Sequence, residues 1–158
     1  MTFTIRKTTR DDAAAVIGLL RAFAKFENLE QFCEITEEKL LYAMFGKDSF
    51  VEGLVAEANG QIVAYAIFYP NFASFRGQKG IYLEDIYIDA EYRGQCIGDA
   101  MLKEIAKISK SRGFERIDFQ VLNWNTPAIK FYEKHGAVRD NDERHYKFTG
   151  DAFQTLAK

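Results

Sequence analysis

Apolar residues along the chain switch between a two-residue and a helical period, and the switches mark out its elements. Phe3-Thr4-Ile5-Arg6-Lys7 alternates apolar and polar positions, which predicts a half-buried strand. Thr9 stands three residues before Asp12, a helix-start pattern, and Val16, Ile17, Leu20, Phe23 and Ala24 then recur on one helical face. Thr36, followed by Glu37 and Glu38, predicts a second, short helix through Leu40, Leu41 and Met44, its acids suited to the positive end of the helix dipole. Leu54–Ala58 and Gln61–Tyr69 flank Asn59-Gly60, a hairpin signal because both turn residues must accept positive φ. Ile81–Ile88 reads as the next strand.

Beyond Ile88 the pattern becomes strand–helix. Glu91–Gly98 is a short polar loop with two glycines, and Met101, Leu102, Ile105 and Ile108 form one face of a helix closed by Gly113. Arg116–Leu122 predicts a strand, and Asn125-Thr126-Pro127 opens a helix with Pro127 at its first position. That helix carries Ala128, Ile129, Phe131 and Tyr132 and ends at His135-Gly136, and His145–Phe148 predicts a last strand. The order β-α-α-β-β-β-α-β-α-β predicts an α/β protein, a mixed sheet with helices on both faces, in a single domain over 1–158.

Composition changes this picture only at its margins. With 158 residues, 47% hydrophobic and 28% charged, the chain has the material for one sizeable core. A formal charge of −2, from 21 basic and 23 acidic residues, lacks the basic excess of a nucleic-acid binder. No apolar run reaches the ~20 residues of a membrane span, and the N-terminus has no signal-peptide core, so a cytoplasmic location away from membranes is expected. Cys33 and Cys96 make no disulfide framework, and His135 and His145 show no metal-ligand spacing, so no metal is expected.

The chemistry concentrates between Glu84 and Met101. A loop with Arg93, Gly94 and Gly98 before a helix can turn backbone N–H groups toward phosphate, with the helix dipole assisting. The same residues also suit a plain connecting turn. The loop is not a P-loop, since no Gly-Lys-Ser/Thr follows, and it lacks the third glycine of a dinucleotide fingerprint.

Arg93-Gly94-Gln95-Cys96-Ile97-Gly98 resembles the Arg/Gln-x-x-Gly-x-Gly/Ala loop of the GNAT family of N-acetyltransferases, with Cys96 where glycine is usual. A second stretch, Asn125 to Ala137 with Ala128, Phe131, Tyr132 and Gly136, resembles the family's Asn-x-x-Ala-x-x-Phe-Tyr-x-x-x-Gly segment. Ala24-Lys25-Phe26-Glu27, Tyr82-Leu83-Glu84-Asp85, Tyr92-Arg93-Gly94 and Ala128–Tyr132 are similar to the diamine (spermidine/spermine-type) and thialysine acetyltransferases. The resemblance implies a mostly antiparallel mixed sheet splayed at its centre, acetyl-CoA as co-substrate, a small cationic primary amine as acceptor, and a homodimer. The implied reaction is direct transfer in a ternary complex. Protein, peptide or aminoglycoside acetylation, and a CoA-binding module without catalysis, are the competing readings.

The resemblance also assigns residues. Tyr132 is implied as the general acid and Glu84 as the carboxylate that holds and helps deprotonate the amine. Glu84 and Asp85 point to opposite faces of a regular strand, so only one lines the site unless the strand bulges. Cofactor contacts are implied for Ile86, Tyr87 and Ile88, for Arg93, Gly94, Gln95, Cys96, Ile97, Gly98 and Asp99, for Asp118, Phe119 and Gln120, and for Asn125, Thr126, Pro127 and Ala128. Substrate contacts are implied for Phe26, Glu27, Glu84 and Asp85, with Phe26 where the diamine enzymes carry tyrosine. Five glutamates between Lys25 and Glu38 make that stretch acidic, although Glu37 and Glu38 double as helix-capping acids. Lys103, Lys107 and Lys110 share a helical face that reads as solvated.

Overall fold

The computed structural model describes residues 2–158, which form two compact units, one running to Gln120 and the other spanning Val121–Lys158. The first holds β1 (Thr4–Lys7), α1 (Ala13–Phe26), α2 (Glu37–Phe45), β2 (Glu52–Ala58), β3 (Gln61–Ala73), β4 (Gln78–Ile88), α3 (Ile97–Ser111) and β5 (Arg116–Phe119). The second holds α4 (Thr126–Lys134) and α5 (Gly150–Leu156).

The sheet runs in the order β1-β2-β3-β4-β5, antiparallel until β5 joins β4 in parallel. Asn59 and Gly60 both take positive φ, 52° and 74°, as the hairpin between β2 and β3 requires. β5 pairs with β4 only from Gly80 to Leu83, whereas β4 continues to Ile88. Among the described residues no strand pairs with the β5 side of Glu84–Ile88, and this gap is the splay at the centre of the sheet.

Alternation along β2, β3 and β4 divides the core in two. Val55, Tyr65, Ile67 and Tyr87 pack with Val16, Ile17 and Leu19 of α1 and Leu40 and Met44 of α2. On the other face Leu54, Phe68, Ile81 and Leu83 pack with Ile97, Met101 and Ile105 of α3. Ala56, Ala64 and Ala66 stand among them, and their small side chains let α3 lie close to the sheet. Helices therefore cover both faces.

Capping residues act as the sequence predicts. The Thr36 hydroxyl accepts from the Lys39 N–H at 3.2 Å and starts α2. Asp12 accepts from the Thr9 N–H at 2.7 Å, closing a single 3-10 turn that leads into α1. Its carboxylate also takes both guanidinium NH2 groups of Arg6, at 2.7 and 2.8 Å.

Boundaries differ from expectation in several places: β2 starts at Glu52, β3 runs on to Ala73 and β4 starts at Gln78. β5 stops at Phe119 rather than Leu122, because its partner β4 leaves the shared register after Leu83. Pro127 is the second residue of α4, since Thr126 is already helical. The strand expected at His145–Phe148 does not form, and α5 follows instead. Tyr146 and Phe148 are exposed there, and Arg139, Asp140, Asp142, Glu143, Arg144 and Lys147 crowd the approach, so the alternation has no apolar surface to bury against.

Candidate active site

The splayed edge of β4 carries the most distinctive geometry. Asp85 pairs with Ile67 and Leu83 with Phe68, so Glu84 is an extra residue opposite no partner in β3. The bulge inverts the alternation: Leu83, Ile86 and Ile88 pack toward α3, whereas Tyr87 joins the core under α1 and α2. Glu84 and Asp85 consequently reach tyrosines that stand four residues apart on one face of β3. The Tyr69 hydroxyl donates to Glu84 Oε2 at 2.7 Å, and the Tyr65 hydroxyl makes a longer contact of 3.5 Å to Asp85 Oδ2. The choice between the two acids is thus resolved by geometry, and both line the same face.

Charge in this region is crowded and poorly hydrated. Burial, with the charges of Glu84 and Glu27 adding to it, pushes the Asp85 carboxyl up to about 7, and the Tyr65 hydroxyl only partly offsets that rise. Burial also raises the Glu27 carboxyl above its ordinary value. The Tyr65 phenol is driven far upward, first by burial and then by Asp85, so it stays protonated and available as a donor. Three carboxylates from the end of α1 and the middle of β4 therefore share one neighbourhood.

Arg93 ties the end of α1 to this edge. Its guanidinium lies over the rings of Phe26, at 4.9 Å, and Tyr87, at 5.2 Å, and its Nε donates to the Ile88 carbonyl at 3.0 Å. Asn28, at φ 57°, turns the chain out of α1 immediately after Glu27. The Arg93 side chain is thereby directed to α1 and β4, and its backbone N–H turns back to the Ala90 carbonyl at 3.4 Å.

The loop before α3 has the form of an anion cradle. Gly94 and Cys96 take left-handed conformations, φ 75° and φ 62°, on either side of Gln95. The first hydrogen bond of α3 into this loop runs from the Ala100 N–H to the Cys96 carbonyl at 3.0 Å. N–H groups of a first helical turn have no partner within their helix, and alternating turns of this kind converge them on a single point. Buried Ile97 anchors the loop, and a side chain at Gly94 would meet open space. The cradle fits a phosphate or pyrophosphate group.

Backbone direction along β4 points the same way. The Asp89 N–H donates to the Val63 carbonyl of β3 at 2.9 Å, so by strand alternation the backbone groups of Ile88 and Ile86 face the open edge. Residues of β5 are placed differently. Ile117 and Phe119 pack toward α3, which puts the Asp118 side chain on the opposite face. There Arg116 holds it at 2.5 and 2.8 Å and Asn71 at 2.6 Å. Burial works against ionisation of Asp118, but these bonds outweigh it and keep the carboxyl below its ordinary value. Gln120 is exposed just beyond the strand.

In the second unit, buried Asn125 caps α4 by accepting from the Ala128 N–H at 3.3 Å. Thr126 and Pro127 are exposed in the first turn, and half-buried Tyr132 meets the Phe131 ring edge-on at 5.1 Å. No group of three or more His, Cys, Asp or Glu side chains able to hold a metal occurs among the described residues. Sequence reasoning missed Tyr65 and Tyr69, which read only as apolar members of a strand. The signal was their four-residue spacing, which keeps both on one face of the strand antiparallel to Glu84-Asp85.

A loop of left-handed turns at the start of α3, beside a splayed strand that carries two carboxylates, is the arrangement of an acyl-transfer fold. The family model described as Acetyltransferase (GNAT) family matches residues 19–137, and the chain belongs to that family. It is 34% identical to the thialysine N-epsilon-acetyltransferase of Bos taurus over 164 residues, 97% of this chain and 96% of the relative. It is 32% identical over 143 residues to the spermidine/spermine N(1)-acetyltransferase-like protein 1 of Homo sapiens, covering 86% of this chain and 20% of that one. Among solved structures, an integron cassette protein from the mobile metagenome of V. cholerae shares the fold with a TM-score of 0.83 at 22% identity, covering 100% of this chain and 99% of that one. The protein is an N-acetyltransferase with relatives that act on small amines.

Proposed function

We propose that this enzyme acetylates the primary amine of a small cationic molecule, a polyamine or a lysine analogue, with acetyl-CoA as donor in a ternary complex. The observation that carries this reading is the gathering of Glu27, Glu84 and Asp85 on one face of the sheet. A lysine-like amine has a pKa of about 10.4 and arrives as an ammonium, which three carboxylates attract. Before the nitrogen can attack, a proton has to leave it. Glu84, exposed and held by Tyr69, is the group assigned to receive that proton, directly or through water. Asp85, pushed up to about 7, is poised to exchange protons near neutrality. Phe26 supplies an apolar wall beside Glu27 for the methylene stem of the substrate.

When bound, acetyl-CoA supplies the activated acetyl group. The backbone of Gly94–Asp99 would hold its phosphates, and the Ile86 backbone and the Ile88 N–H face the open edge of β4. Asn125 and Ala128 order the first turn of α4, and Tyr132 is assigned as a proton donor through its hydroxyl. Thialysine and polyamine acetyltransferase relatives support the substrate class.

The test is release of CoA thiol from acetyl-CoA across a panel of thialysine, spermidine, spermine, putrescine, an aminoglycoside and a lysine peptide. Turnover with the first group and not the last two is expected. Tight CoA binding with no stimulation by any amine would make the protein a CoA-binding module instead.

A further inference from the structure

Glu84 sits at the bulge, opposite no partner in β3, and its side chain is exposed. A glutamate there has three rotatable bonds and little in its own backbone to select among their settings. One neighbour does select. Tyr69, on β3, donates to Glu84 Oε2 at 2.7 Å. The ring that carries this hydroxyl is itself fixed, stacked on Tyr82 with centroids 5.4 Å apart and planes at 22°. Phe50 meets it edge-on at 5.8 Å and 87°. Burial first, and then Glu84, raise the Tyr69 phenol well above neutrality, so it remains a donor throughout the working range.

We infer that Tyr69 is the positioning residue of Glu84: it occupies one carboxylate oxygen and aims the other at the substrate amine. The inference rests on the role proposed above for Glu84. No hydrogen-bond donor reaches Oε1 among the described residues, so that oxygen is the one left for an ammonium. Tyr69 therefore sets the direction of the Glu84 carboxylate. The titratable groups facing Glu84 are Tyr69 from β3 and Tyr82 and Asp85 from β4, with Glu27, just past the end of α1, beyond Asp85 and Asp118 of β5 beyond Tyr82.

The experiment uses the full chain and two variants, Tyr69→Phe and Glu84→Gln. Phenylalanine keeps the ring stack and deletes only the hydroxyl, and unchanged CoA affinity verifies that the fold is intact. For Tyr69→Phe we expect kcat/KM for thialysine to fall roughly 10- to 100-fold, the scale of a lost hydrogen bond to a charged group. The loss should fall on kcat, with KM for thialysine little changed, because the remaining carboxylates still hold the amine while its proton acceptor is no longer aimed. A rise in KM with kcat unchanged would make Tyr69 merely structural and overturn the inference. Wild-type rate in Tyr69→Phe alongside an inactive Glu84→Gln would overturn it while leaving the role of Glu84 standing. Full activity in Glu84→Gln would remove the role of Glu84 and the inference with it.

Discussion

Glu84 and Asp85 are consecutive residues of one strand and yet line the same face, because the register with β3 passes over Glu84. An ordinary strand would have sent one of them toward α3. The bulge brings two like charges together in a partly dehydrated place, an arrangement that raises one carboxyl at the expense of stability.

That cost is measurable through Asp85. Its folded-state value of about 7 lies above the ordinary 3.8, so the folded chain binds the proton more tightly than the unfolded chain. Stability contributed by the protonated form is present below pH ~4, falls as pH rises toward 7, and stays low above it. Asp85→Asn removes the dependence. At pH 8 the variant should be more stable by about 1–4 kcal/mol, and at pH 4 the two proteins should melt together. Acetyl transfer should fall, as expected where a destabilised group serves function. Thermal melts at the two pH values, with the amine-dependent rate, check both halves.

Asp12 behaves in the opposite sense. Arg6 holds its carboxylate down to about 2, with the Thr9 backbone and hydroxyl helping, against the cost of burial. A depressed folded-state value stabilises above the ordinary range and loses that stability as pH falls from ~4 toward 2. Asp12→Asn should cost about 2 kcal/mol at pH 7. Urea melts of the two proteins should converge as pH approaches 2, and equal stability at pH 7 would contradict the geometry.

Most of this fold was legible in the chain. Two-residue alternation in β1, the Asn59-Gly60 turn and the Thr36 cap depend on neighbours in sequence, and each appears where expected. The bulge at Glu84 depends on how β3 and β4 align, which no local pattern encodes, so the sequence could only pose the choice between Glu84 and Asp85. The Arg93 side chain was legible as part of a loop motif but not as a lid on Phe26, since that contact joins residues far apart in the chain. His145–Phe148 failed for the converse reason: alternation alone does not make a strand when no surface receives it.

Glu27 offers a separable test of the substrate side. It is half-buried at the end of α1, and burial raises its carboxyl. Glu27→Gln removes a charge without removing volume. KM for a diamine should rise roughly ten-fold, the scale of one charge-assisted contact, with kcat little changed. Steady-state kinetics with thialysine and spermidine would check this, and an unaltered KM would detach Glu27 from the amine.

Tyr132 should separate binding from chemistry. Tyr132→Phe retains the ring that meets Phe131 and removes only the hydroxyl. Loss of a positioned acid should lower kcat by roughly 10²-fold or more, while CoA affinity measured by calorimetry stays unchanged. Unchanged turnover would remove Tyr132 from the proton-donor role.

Cys96 holds a conformation that suits glycine. At φ 62° and ψ 12° it is left-handed, and a β-carbon there costs about 1–2 kcal/mol. Its side chain is exposed and makes no cap hydrogen bond, so nothing on the side-chain side offsets the strain. The backbone N–H groups that would hold phosphate do not depend on that side chain. Cys96→Gly should therefore raise stability by about 0.5–1 kcal/mol, partly offset by the freedom glycine adds to the unfolded chain. In a chain of this size that is a rise of about 1–4 °C in Tm. CoA affinity should be retained, because the cradle keeps its shape. Cys96→Val, with a branch at the β-carbon, should lower Tm and weaken CoA binding together. Melting curves and CoA titrations of both variants distinguish a strained cradle from an indifferent turn, since an indifferent turn would tolerate valine as well as glycine.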